Sequence, residues 1–248
     1  MLWECIGGLM RIDLFQDSIG AVEYVSHMGT DLSVVNAARV SFGAEKNSVD
    51  EKDIKLIKYL MNHNHSSPFE HCAITFKFTV PLFIRSQHHR HRTWAYNEIS
   101  RRYTDVDIKF YEPKRFRTQH ETNRQASKDQ LIDPDLNNTP NRIVPVPAYR
   151  ASEAVRVHNT RSLGLYNDLI SRGVCREQAR GVLPQNLYTE YFGTVNLHNL
   201  LKFVSLRTHN GAQWEIQKVA QACLKIAKDF FPYSIDAYIG KSKMETPQ

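Results

Sequence analysis

The stretch HCAITFKFTVP, residues 71–81, decides the architecture. Cys72, Ile74, Phe76, Phe78 and Val80 alternate with Ala73, Thr75, Lys77 and Thr79. A period of two puts the first set on a buried face of a β-strand. Pro81 ends the strand, and Pro81–Arg92 reads as a helix with proline in its first turn.

Upstream, RIDLF at 11–15 reads as a short strand and Asp31–Val40 as a polar-capped helix. Ser48 and Glu51 have the spacing of a capping box, which opens a helix carrying Ile54, Ile57, Leu60 and Met61 on one stripe. Downstream, residues 118–147 are polar and loop-like, an insertion or a lid. A long helix is expected from Tyr149 to Ser171, stopped by Gly173, and a shorter one over Arg176–Val182. Asn186–Val195 is rich in aromatic and β-branched residues, and two more helical stretches follow. The last, Gln213–Phe230, has Ile216, Val219, Ala220, Cys223, Ile226, Ala227 and Phe230 on one face and is closed by Pro232. Residues 1–10 look like an extension and 241–248 like a frayed tail. The whole, residues 1–248, reads as a single α+β domain, a small antiparallel sheet packed by helices.

At 248 residues the chain buries a core without staples. Its four cysteines, Cys5, Cys72, Cys175 and Cys223, form no C-x-x-C pair, which points to a reducing, cytoplasmic setting. No apolar run nears the roughly 18 residues of a membrane span. The net charge of +6 suits anionic partners. Rossmann and P-loop fingerprints are absent, as is a G-x-S-x-G elbow.

The densest polar run is QHHRHRTWAYNEISRRY, residues 87–103. Guanidinium forks suit phosphate oxygens, Ser100 and Asn97 can orient a ligand, and Glu98 can accept from a sugar hydroxyl or a base N–H. A solvated basic helix face has the same composition. Interleaved Trp94, Tyr96 and Tyr103 also resemble a single-stranded nucleic-acid surface. A second cluster, His63, His65, Glu70 and His71, could hold zinc with His88, His89 and His91, although its spacing matches no common zinc pattern. Two weaker signals lie further on: Arg176 and Arg180 share a helix face, and Arg207 stands between two helices, where it could point into a cleft or cap a helix end.

Arg90-His91-Arg92, seven residues, then Ser100, with Asn97-Glu98 and Arg102-Tyr103 in order, resembles the signature of flavin-dependent thymidylate synthases. The resemblance extends through Ala38–Phe42, Ser67–His71, Arg176–Arg180, Leu183–Thr189, Thr194–Asn196 and Ala212–Gln217. It implies the fold of that family, a homotetramer with active sites shared between subunits, and conversion of dUMP to dTMP. FAD would be the cofactor, with 5,10-methylenetetrahydrofolate and NADPH as co-substrates, and neither nucleic acid nor membrane as partner.

Carried over by position, Ser67, Arg90, His91, Arg92 and Glu98 match FAD contacts, followed by Asn196, Leu197, His198 and Lys202. Gln87, His88, His89, Arg90, Glu98 and Ile99 match the dUMP site, with Ser100, Arg101, Arg102, Arg180 and Arg207. Ser41 and His65 fall where the family lines its flavin and folate region. The family uses no cysteine adduct to activate uracil C5, so Arg207 is the expected catalytic cation. Ala95, Arg101, His198, Lys202 and Gly211 depart from the commoner pattern.

Overall fold

The computed structural model describes residues 10–137 and 150–245. It opens with β1 (Arg11–Asp13), β2 (Ala21–Met28), α1 (Asp31–Arg39), α2 (Glu51–Asn62), α3 (Ser67–Glu70) and β3 (Ala73–Pro81). Next come α4 (Leu82–His88), β4 (Ala95–Glu98), and a hairpin of β5 (Phe116–Gln119) and β6 (Ser127–Ile132). The chain continues through α5 (Ala151–Ser171), α6 (Arg176–Ala179), β7 (Tyr188–Asn196), α7 (Leu197–Arg207), α8 (Trp214–Lys228) and α9 (Pro232–Glu245).

The five-stranded sheet has the order β1-β2-β3-β7-β4, and every pair is antiparallel. The strand expected from residue 71 begins at Ala73 and lies at its centre. Cys72, Ile74, Phe76, Phe78 and Val80 are all fully buried, as their alternation requires. They meet one contiguous apolar cluster drawn from α2, α7, α8 and α9. Gly193 of β7 lets two rings close over the sheet. A Cβ there would lie 2.9 Å from Phe78 and 3.1 Å from Trp94.

Several elements differ from the sequence reading. β2 shows no clean alternation because a bulge between Tyr24 and Ser26 shifts its faces. The cap of α2 is Asp50 rather than Ser48: its carboxylate accepts from Lys52 N and Asp53 N, and Asp53 answers from its own side chain to Asp50 N. The helix after Pro81 stops at His88 instead of Arg92. The loop-like stretch contains the β5–β6 hairpin, while residues 138–147 of it lie outside the described residues.

The largest omission is α9, which begins at Pro232 and continues through Lys241 to Glu245, into the expected tail. Proline suits a first helical position. The cap comes from far away: Asp31 accepts from Tyr233 N at 2.8 Å and Ser234 N at 3.0 Å. Lys241 Nζ then reaches Asn64 Oδ1 at 2.6 Å. At the other end, residues 1–9 lie outside the described residues, whereas Met10 packs against the core and its carbonyl accepts from Tyr24 N. Among the described residues no helix is long and apolar enough to cross a membrane.

Candidate active site

The site forms where the end of α4, the turn beyond it and the last turn of α7 meet. The Tyr96 hydroxyl donates to the carbonyls of both His88 and His91, at 2.9 and 3.1 Å, and so ties that turn to β4. His88 is fully buried against Phe78, Trp94 and Phe203, with Nδ1 2.8 Å from the Tyr191 hydroxyl. Burial, followed by the charges of His91, His89 and Arg207, keeps its pKa well below the usual imidazole range.

His91 links this turn to α7. Arg207 donates from Nε to His91 Nε2 at 2.9 Å and from Nη2 to the Gln87 carbonyl at 3.2 Å. Burial first, then Arg207 and Lys202, push His91 down to about 4. It is therefore neutral at pH 7, with Nε2 free to accept and the proton on Nδ1. Burial also lowers Arg207, but a guanidinium remains charged. The result is a half-buried cation held from two sides.

A cavity of about 300 Å³ opens along α7. Leu60, Met61, Phe69, Leu201 and Tyr238 give it an apolar wall, and His65, His198, Lys202 and Lys241 a basic one. His198 and Lys202 are one helical turn apart, next to the α7 N-terminus. Basic groups beside a helix N-terminus suit a phosphorylated ligand, and the apolar wall suits a flat ring. This donor set fits a dinucleotide such as FAD, of which a cavity this size holds a part.

The structure brings Gln87, His91 and Arg207 together, while His198 and Lys202 line the cavity further along α7. Asn196 caps α7 by accepting from Asn199 N at 2.9 Å. Leu197 has its side chain in the core and its N–H on the Cys72 carbonyl. His88 likewise sits behind the surface. His89 stacks on Tyr96, with centroids 4.0 Å apart. Glu98 Oε1 accepts from Arg85 Nε at 3.0 Å and Thr189 Oγ1 at 2.7 Å. Ile99 and Arg101 face another cavity, about 340 Å³, lined also by Lys77, Lys109 and Glu190. Arg101 donates there to the Val106 carbonyl. Ser100 accepts from Arg102 N, and Arg102 Nη2 donates to the Tyr103 hydroxyl at 3.1 Å. Arg90, Arg92, Ser67 and Arg180 are exposed.

Sequence reasoning gave no site role to Arg85, which braces Glu98, or to Lys241 and Tyr238, which arrive with α9. It likewise gave no site role to Gln213 and Glu215, although both lie in the resembling stretch Ala212–Gln217: Gln213 accepts from Gln87 and donates to Glu215.

Two alternatives lose their footing. Trp94 is buried and Tyr96 half-buried, stacked on one another inside the molecule, so they offer no platform for bases. His63 stacks on Tyr59, with centroids 4.1 Å apart, and its Nδ1 lies 2.8 Å from the Tyr59 carbonyl. Among the described residues no three potential metal ligands converge. Cys72 and Cys223 are buried, and burial first of all pushes the Cys72 thiol up to about 12.

Comparison with known proteins gives the class first. Over 92% of this chain and 97% of the other, the fold superposes on the UMP/dUMP methylase PolB from Streptomyces cacaoi, solved with 5-Br dUMP, at a TM-score of 0.70 and 30% identity. The form solved with 5-Br UMP gives 0.69 and 29%, covering 89% of this chain and 93% of that one. A family model described as thymidylate synthase complementing protein matches residues 23–233. The flavin-dependent thymidylate synthase of Thermus thermophilus is 42% identical over 88% of this chain and 75% of its own length. That of Thermotoga neapolitana is 41% identical over 89% and 91%. The chain belongs to the flavin-dependent thymidylate synthase family.

Proposed function

We propose that this protein is a flavin-dependent thymidylate synthase, a methyltransferase that converts dUMP to dTMP. The observation that carries this reading is Arg207, held by His91 and the Gln87 carbonyl inside the family-matched stretch. The carbon donor in this reading is 5,10-methylenetetrahydrofolate.

Uracil C5 is a weak nucleophile, and none of the residues assigned to the site is a cysteine. Its activation falls to Arg207. A fixed cation beside the uracil N3–C4=O4 edge stabilises the negative charge that builds there as C5 attacks the methylene carbon. His91 contributes by staying neutral: a protonated imidazole would compete with Arg207 instead of accepting its N–H. Arg102 and Arg180 are assigned to the nucleotide phosphate, and Gln87 and Ser100 to its orientation. Arg90, Arg92, His91, Ser67 and Glu98 are assigned to FAD together with Asn196, His198 and Lys202. Bound flavin, reduced by NADPH, would supply the hydride that completes the methyl group.

Arg102, Arg180, Arg90 and Arg92 are exposed on a single chain. This supports a homotetramer in which neighbouring copies complete each site. We assign the protein to the cytoplasm, where free thiols persist, and treat residues 1–248 as one domain. The test is tritium release from [5-³H]dUMP with methylenetetrahydrofolate and NADPH, with and without added FAD. Release that depends on flavin is expected. No release from folded, flavin-loaded protein would overturn the reading.

A further inference from the structure

Glu215, in the first turn of α8, is nearly fully buried. A buried carboxylate needs a countercharge and filled acceptor sites. Its Oε1 accepts from Arg117 Nη2 and, at 3.1 Å, from the Tyr111 hydroxyl. Its Oε2 accepts from Gln213 Nε2 at 2.9 Å. Arg117 comes from β5, in the hairpin that the sequence presented as a loop, and its guanidinium also lies 5.0 Å over the Trp214 ring.

These contacts have a direction. Glu215 only accepts, so the amide nitrogen of Gln213 must face it. That turns Gln213 Oε1 outward, where Gln87 Nε2 donates to it. The Gln87 side chain is thereby held with its nitrogen toward α8 and its Oε1 toward the other side. The backbone carbonyl of the same residue holds Arg207 Nη2. An unbroken series of hydrogen bonds therefore joins the β5–β6 hairpin to the cation of the proposed site.

We infer that Arg117 is a positioning residue for the nucleotide: through Glu215 and Gln213 it sets which end of the Gln87 amide meets dUMP, and it steadies the carbonyl that holds Arg207. This rests on the functional reading above and adds to it a dependence of nucleotide affinity on the hairpin. Without Arg117 the buried Glu215 carboxylate loses its countercharge and its fixed position, so Gln213 is no longer held with its nitrogen on it, and part of the Gln87 population presents the wrong end.

The test is dUMP binding to the FAD-loaded protein by titration calorimetry, with flavin content and melting temperature recorded for each variant. R117M is expected to weaken dUMP about tenfold while flavin content stays at the wild-type level, and R117K to recover most of the loss. In a Gln87→Ala background R117M should cost little more, because the effect passes through Gln87. A merely structural role would lower affinity by the same factor in both backgrounds. Should R117M fold poorly, Gln213→Met leaves the Arg117–Glu215 pair intact and carries the same two comparisons. Wild-type affinity in R117M, or losses that multiply in the double variant, would overturn the inference. Wild-type protein that binds no dUMP would instead remove the functional reading, and the inference with it.

Discussion

Replacing Arg207 with alanine tests the proposed chemistry most directly. The guanidinium is half-buried and held at 2.9 and 3.2 Å by His91 and Gln87, so it stabilises charge with little reorganisation. At about 4 Å and an effective dielectric of about 20, a unit charge is worth about 4 kcal/mol. That corresponds to roughly a thousandfold in rate. Loss of a single transition-state donor costs about 10²–10³ by experience elsewhere, which agrees. R207A is therefore expected to form dTMP about a thousandfold more slowly while retaining FAD, whose assigned contacts lie mainly on other residues. A second readout is independent of turnover. Arg207 is the largest charge effect holding His91 down at about 4, after burial. In R207A the His91 imidazole, followed by NMR, should titrate at higher pH, yet below an exposed histidine because burial and Lys202 remain. A variant that turns over at the wild-type rate, or in which His91 titrates unchanged, would refute the reasoning.

The remaining expectations concern stability and thiols. Asp31→Ala removes the cap of α9 and leaves two N–H groups unpaired, that of Ser234 buried, at a cost of about 2–3 kcal/mol. The melting temperature should then drop by about 4–12 °C, with early hydrogen exchange in α9; an unchanged melt would sink this account. His88 and His91 both have depressed pKa values in the folded protein. Their contribution is fully present above the unfolded histidine value of about 6.5, and for His91 it is lost as pH falls toward about 4. Melting temperature should fall over that window, and less steeply in His91→Asn; parallel slopes would count against it. Among the described cysteines only Cys175 is exposed, so a thiol reagent should modify it well before Cys72 and Cys223. Changing all four cysteines to alanine should preserve methyl transfer in folded protein, and lost chemistry there would implicate a thiol.

The central strand was legible because its face alternates without a break from Cys72 to Val80. Helix α8 was legible for the same reason at helical spacing. β2 was hidden by its bulge, and α9 by a cap that lies 202 residues away in the chain. A local reading sees only Pro232, which stops one helix and opens the next. At the site, the Arg-His-Arg run and Arg207 were visible as charges, but their contact spans 116 residues and depends on the protonation of one ring. The hairpin was read as a loop because its polar sequence carries no apolar alternation. Its attachment, Arg117 on a buried glutamate, is a tertiary fact. Leu197, His88 and Arg101 were named from family position alone; in the single chain the first two are buried and Arg101 donates to the Val106 carbonyl.

The two rims of the main sheet are stubs. β1 is three residues long and β4 only four, while the strands inside run to eight and nine. A rim this brief exposes few unsatisfied amides and carbonyls, too few to template a foreign strand. Growth by sheet extension, the route to fibres, is thereby closed at both ends.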